Sequence, residues 1–179
     1  MNKKNELNEL NDWIATHCEE FADVPDQTRG AAYLYMVLWS VFDGRYLEHS
    51  GSREALMLYA ETLPEQIEIT PFEPHLDYFR KRLAGGHHLR DLVGEDYNSR
   101  DYLRSPCFSA LADHREQLIG LMLISYRLRC NLVHGDKYRV GLRDQYDNLV
   151  HGCQLAKLFL EEAWRPKNTD GRALTWDQE

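Results

Sequence analysis

The sequence predicts an all-α protein that folds as a helical bundle in a single domain. Apolar residues recur at helical spacing through most of the chain. The one break in composition, "PEQIEITPFEPH", is short. With 179 residues, 43% of them hydrophobic and 28% charged, the chain is long enough for one core and balanced like a soluble globular protein.

The first half of the chain predicts three helices. "NELNELNDWIATHCEEF" carries leucines and aromatics near helical spacing and is ended by Pro25. "QTRGAAYLYMVLWSVFDGRYLEH" is apolar on nearly every side between Ala31 and Phe42, which predicts a helix buried from several directions. "SREALMLYAETL" predicts a shorter amphipathic helix with Ser52 as its N-cap.

The prolines at 64, 71 and 74 predict an extended crossing over the surface, because proline disfavours a helix interior. Beyond them, "HLDYFRKRL" predicts a short helix stopped by two glycines, and longer helices are expected over residues 108–133 and 143–164. Neither half alone would close a good core. We therefore expect one bundle domain over residues 1–166 and a polar tail over 167–179.

Composition also limits the function. No apolar run approaches the roughly 20 residues of a membrane-spanning helix, and the N-terminus has no apolar signal region, so a cytoplasmic protein is expected. Four scattered cysteines predict neither a disulfide framework nor a zinc site, and no metal or cofactor is expected. The net charge of −8 disfavours a general, charge-driven nucleic-acid binder, but it leaves room for a local basic patch.

The stretch "ISYRLRCNLVHGDKYR" carries the candidate functional residues. On a helical wheel Arg127, Asn131 and His134 fall together opposite the main apolar stripe, and Arg129 lies at the edge of that stripe. Leu123 and Ile124 also point away from the stripe. This second apolar surface predicts a partner, most simply a second copy of the chain.

Two interpretations of these polar residues remain open from spacing alone. In the first, they cap and solvate the helix end, since glycine after His134 stops a helix and the helix dipole favours a charged histidine there. In the second, they form a small acid/base and phosphate-binding site. The histidine at 151, one turn after Asp147, is a further candidate for the same cleft, with a packed or solvated histidine as the alternative.

The segment "RLRCNLVHGDK" resembles the signature of HEPN domains (higher eukaryotes and prokaryotes nucleotide-binding), in which an arginine is followed after four to six residues by a histidine. Arg129 and Arg127 both satisfy this spacing with His134. An early helix of bacterial HEPN-like proteins is also similar to the upstream helix, where the matching residues are Trp39, Phe42, Asp43 and Tyr46.

The resemblance implies a four- or five-helix bundle that forms a homodimer through the motif helix. It further implies a metal-independent endoribonuclease acting on single-stranded RNA, in a toxin or anti-phage defence setting with an antitoxin or nucleotidyltransferase partner. His134 would be the general acid/base, Arg129 or Arg127 would stabilise the phosphate, and Asn131 would orient one of them. The alternative is a catalytically silent HEPN-like module for dimerisation or for binding RNA or a nucleotide.

Overall fold

A computed structural model describes residues 3–18, 21, 23–47, 50–63, 68–84, 92, 112–133 and 141–164. This part of the chain contains α-helices and short 3₁₀ helices and no strand, which confirms the all-α prediction. The α-helices are α1 Lys3–His17, α2 Asp26–Tyr46, α3 Arg53–Glu61, α4 Glu73–Leu83, α5 His114–Val133 and α6 Tyr146–Trp164; the 3₁₀ helices are Thr70–Phe72 and Arg143–Gln145. The predicted glycine stop after α4, residues 108–111 and the polar tail lie outside the described residues.

The bundle is built around α5, which contacts α2, α3, α4 and α6. The most extensive helix pairing is that of α6 along α2. None of the described helices is both long and apolar enough to cross a membrane.

The helix buried on all sides is α5 rather than α2. Residues Gly120 to Ser125 of α5 are buried without interruption. By contrast, α2 buries a single stripe that includes Tyr35 and Trp39, while Tyr33 on its opposite side is 69% exposed. The prediction that α2 is buried from several directions is therefore wrong, because its buried residues form one stripe and Tyr33, Leu34 and Val37 are exposed.

The predicted second apolar surface of α5 is also wrong. Leu123 and Ile124 are 1% and 0% exposed within the single chain, so they belong to its own core. The wheel correctly placed them away from the main stripe, but helices of the same chain cover that side. These two residues consequently give no support to a dimer.

The N-cap predicted for α3 is confirmed, since the Ser52 hydroxyl accepts a hydrogen bond of 3.1 Å from the amide of Ala55. The predicted extended crossing is wrong where it is described. Thr70–Phe72 forms a 3₁₀ turn and Pro74 lies in the first turn of α4. Proline is tolerated at a helix start, because amides there have no partner within the helix.

Candidate functional site

The candidate residues lie on the last two turns of α5. Arg127, Arg129 and Asn131 are on this helix, which ends at Val133, and His134 follows outside the described residues. The buried segment upstream holds this end of α5 in place, because its side chains are surrounded by other helices. The described site therefore consists of the two arginines and the asparagine on a rigid helix end.

Arg127 and Asn131 converge on the carbonyl of Leu92. The Asn131 amide donates to it over 3.0 Å and Nε of Arg127 over 3.4 Å. Asn131 is 2% exposed, so its amide is oriented by this bond rather than by solvent. The wheel placed these two residues on one side, and the structure shows that this side binds the backbone of another segment.

Arg129 points to a different place and is half-buried. Its terminal nitrogen Nη1 lies 3.9 Å from Sγ of Cys130, and its Nε is buried with no hydrogen-bond partner among the described residues. A buried guanidinium N–H without an acceptor is energetically costly unless a ligand or another group supplies one. Of the two candidate arginines, Arg129 is thus the one that retains an unbonded buried donor.

Gly51, in the turn between α2 and α3, has both Asp43 and Arg129 beside it. Its backbone has a φ of +50°, in the left-handed region, and its amide donates to Oδ1 of Asp43 over 2.8 Å. A Cβ at this position would lie 3.4 Å from Oδ2 of Asp43 and 3.6 Å from Nη2 of Arg129. These are ordinary van der Waals distances, so the left-handed backbone, rather than a lack of space, favours glycine at this position.

Asp43 was part of the family resemblance, but the position of both Asp43 and Arg129 beside Gly51 was not predicted. The two residues lie on different helices, α2 and α5, so no spacing in the sequence connects them. The serines that flank Gly51 mark a turn, which was the only local signal available.

Aromatic groups line the same part of α5. Burial, together with a hydrogen bond to the thiol of Cys130, raises the pKa of Tyr126 to about 12, so the phenol stays neutral at physiological pH. The rings of Tyr126 and Trp39 have centroids 6.3 Å apart. The indole N–H of Trp39 is buried, and it too has no partner within the described chain. Unbonded donors thus occur on both α2 and α5 around Tyr126.

A second polar cluster joins α4 to α6. Nδ1 of His75 lies 2.8 Å from Nδ1 of His151, and Tyr78 stacks on the His151 ring with centroids 3.8 Å apart. The Tyr78 hydroxyl donates to Oδ1 of Asn148 over 2.8 Å. Burial, and then the neighbouring His151, lowers the pKa of His75 to about 4; burial also lowers the pKa of His151. This is the packed-histidine interpretation of His151, with a partner that the sequence did not indicate.

The described cysteines, Cys18, Cys130 and Cys153, are free thiols. Burial raises the pKa of Cys153 to about 11, which makes it a poor nucleophile. In the described part of the chain no group of three or more histidine, cysteine, aspartate or glutamate side chains is placed to hold a metal ion.

Comparisons with protein-family models, curated proteins and solved structures found no match for this chain.

Proposed function

We propose that this protein is a HEPN-type, metal-independent endoribonuclease that cuts single-stranded RNA with Arg129 and His134. The observation that carries the proposal is that the two arginines of α5 differ in their hydrogen bonds. Arg127 donates to the Leu92 carbonyl, whereas the buried Nε of Arg129 has no partner in the described chain. The arginine with the tighter spacing to His134 is thus the one whose guanidinium is not bonded to the Leu92 backbone.

The proposed chemistry uses the substrate's own nucleophile. A base removes the proton of the ribose 2′-hydroxyl, and the oxygen attacks the adjacent phosphorus. The bond to the 5′-oxygen breaks, and this oxygen takes up a proton, which leaves a 2′,3′-cyclic phosphate and a 5′-hydroxyl. Imidazole suits the proton transfers, since its ordinary pKa lies near neutral pH, and His134 takes this role. The Arg129 guanidinium stabilises the charge on the phosphoryl oxygens by planar, charge-assisted hydrogen bonds.

Asn131 has a different part in this proposal from the one first expected. Its amide is committed to the Leu92 carbonyl, together with Arg127, so it holds the backbone of a neighbouring segment near the site. The homodimer and the toxin or anti-phage setting, with an antitoxin or nucleotidyltransferase partner, belong to the proposal through the family resemblance. The core position of Leu123 and Ile124 removes the independent argument for a dimer.

The test is cleavage of end-labelled single-stranded RNA in EDTA by purified wild type, Arg129→Ala, His134→Ala and Lys81→Ala. Lys81 is an exposed cation on α4 and serves as the matched control. We expect each of the first two substitutions to lower the rate about 100-fold or more and the control to leave it unchanged. Products should end in 2′,3′-cyclic phosphate.

The Arg127→Ala variant tests whether Arg127 positions the backbone or contacts the phosphate. It should lower thermal stability and reduce cleavage less than Arg129→Ala does, because its guanidinium is bonded to the backbone. Equal cleavage by wild type and His134→Ala would contradict the proposal. A wild type that binds RNA without cutting it would favour the catalytically silent binding module. The hydrogen bonds of Arg127 and Asn131 to the Leu92 carbonyl support that alternative.

A further inference from the structure

At the junction between α4 and α6, two imidazole rings contact each other through their Nδ1 atoms. His75 lies in the first turn of α4 and His151 on α6, 76 residues apart, and their Nδ1 atoms are 2.8 Å apart. The ring planes are nearly perpendicular, at 84°. Both residues are partly exposed, so solutes can reach the pair.

The spacing of the two nitrogens is that of a hydrogen bond, and it is also close to the spacing of one coordination geometry. Nitrogen ligands about 2.0–2.1 Å from a metal are about 2.8–3.0 Å apart at a right angle and about 3.3–3.4 Å apart at a tetrahedral angle. The 2.8 Å of the metal-free pair is close to the right-angle value, so an ion with right-angle sites requires the least movement of the two rings. Square-planar or tetragonal coordination is typical of Cu²⁺ and Ni²⁺, whereas structural Zn²⁺ sites are tetrahedral.

The surroundings of the two imidazole rings favour binding of a cation. A histidine must be neutral to bind a metal, and burial keeps both imidazoles neutral at physiological pH by lowering the pKa of each. Tyr78 stacks on His151 and is itself anchored to Asn148, so the orientation of this ring is fixed by a neighbouring hydrogen bond. The carboxylate of Asp147 acts on His151 with negative charge.

We propose that His75 and His151 chelate one tetragonal divalent transition-metal ion, Cu²⁺ or Ni²⁺, through their Nδ1 atoms, with water in the remaining positions. The described chain supplies no third ligand in a suitable cluster, so the ion is exchangeable and does not hold the fold together. Without a metal, one Nδ1 carries a proton and donates it to the other. The ion displaces that proton, which moves through solvent to Nε2 of the same ring, so both imidazoles stay neutral and metal uptake releases no net proton at neutral pH. This inference is independent of the proposed ribonuclease activity.

The experiment is calorimetric titration of the full, untagged chain with CuCl₂ and NiCl₂ at pH 7.5, beside His75→Gln, His151→Ala and His114→Ala. The glutamine amide can still hydrogen-bond His151 and so preserves the junction. His114 is an exposed histidine at the start of α5 and serves as the control. Wild type and His114→Ala should bind one ion, and each of the other two variants should bind about 100-fold more weakly or not at all.

Electron paramagnetic resonance of the Cu²⁺ complex tests the geometry. We expect a tetragonal spectrum with two coordinated nitrogens in wild type, and with one or none in His75→Gln. Tyr78→Phe keeps the stacked ring but loses the bond to Asn148, and it should weaken binding by about tenfold. Circular dichroism establishes that each variant is folded before titration.

Two results would overturn the proposal. One is the absence of saturable Cu²⁺ or Ni²⁺ binding by the folded wild type, which would leave the pair a hydrogen bond only. The other is binding by folded His75→Gln and His151→Ala with wild-type affinity, which would place the ion elsewhere.

Discussion

At the scale of single residues, Gly152 sets how closely α6 approaches α2. A Cβ on this glycine would lie 3.0 Å from Cε2 and 3.2 Å from Cδ2 of Tyr35. The Tyr35 ring cannot easily retreat, because its hydroxyl bonds the backbone carbonyl of Ser125 and lies 2.9 Å from the Ser125 hydroxyl. The position thus requires the absence of a side chain.

Replacing this glycine with alanine should destabilise the protein even though alanine favours helices. We expect Gly152→Ala to lower the free energy of unfolding by about 1–2 kcal/mol, since overpacking outweighs the gain in helix propensity. Gly30→Ala is the matched control: Gly30 is an exposed residue of α2, and a Cβ there meets nothing within 4 Å. It should raise stability by up to about 1 kcal/mol. Urea denaturation of both variants measures the difference. A change in the free energy of unfolding in the same direction for both variants would contradict this account.

At the scale of elements, α5 is the helix on which the candidate site and the core both depend. Its middle is apolar on all sides and is enclosed by α2, α3, α4 and α6. Its C-terminal turns carry Arg127, Arg129 and Asn131, whose side chains leave in two directions, toward Leu92 and toward Gly51. A change in the packing of α5 should therefore affect stability first and the site through it.

Ile124→Ala distinguishes a core helix from a dimer interface. We expect the free energy of unfolding to fall by about 2–5 kcal/mol, because a fully buried side chain is replaced by a cavity. The loss should be the same at low and high protein concentration, measured by urea denaturation at two concentrations about 50-fold apart. Val133→Ala, an exposed position on the same helix, should change stability by less than about 0.5 kcal/mol. A loss that disappears at high concentration would instead indicate that this residue faces a second copy.

At the scale of the whole molecule, the histidine pair makes the fold sensitive to acid. The pKa of His75 is about 4 in the folded protein and about 6.5 when unfolded, so the unfolded chain binds a proton first as the pH falls. Stability from this group is present above pH 6.5 and is lost progressively between pH 6.5 and 4. The lowered pKa of His151 acts in the same direction.

Between pH 7 and 5, the free energy of unfolding should fall by about 1 kcal/mol more in wild type than in His75→Gln. This figure is below the full value for such a pKa change, because His75 is only half-buried and solvent screens the added charge. Denaturant unfolding of both proteins across this range, with EDTA present, provides the measurement. Parallel pH profiles would mean that the pair adds nothing to acid sensitivity.

The sequence by itself determined the all-α class, most helix positions, the Ser52 cap and the grouping of Arg127 with Asn131. These follow from residues within a turn or two of each other, since helix spacing and capping are local. Tertiary structure alone decided that α5 rather than α2 is surrounded, that Asp43 and Arg129 both lie beside Gly51, and that His75 lies against His151. Burial and such pairings depend on which helices pack together, and that is set by contacts between distant parts of the chain.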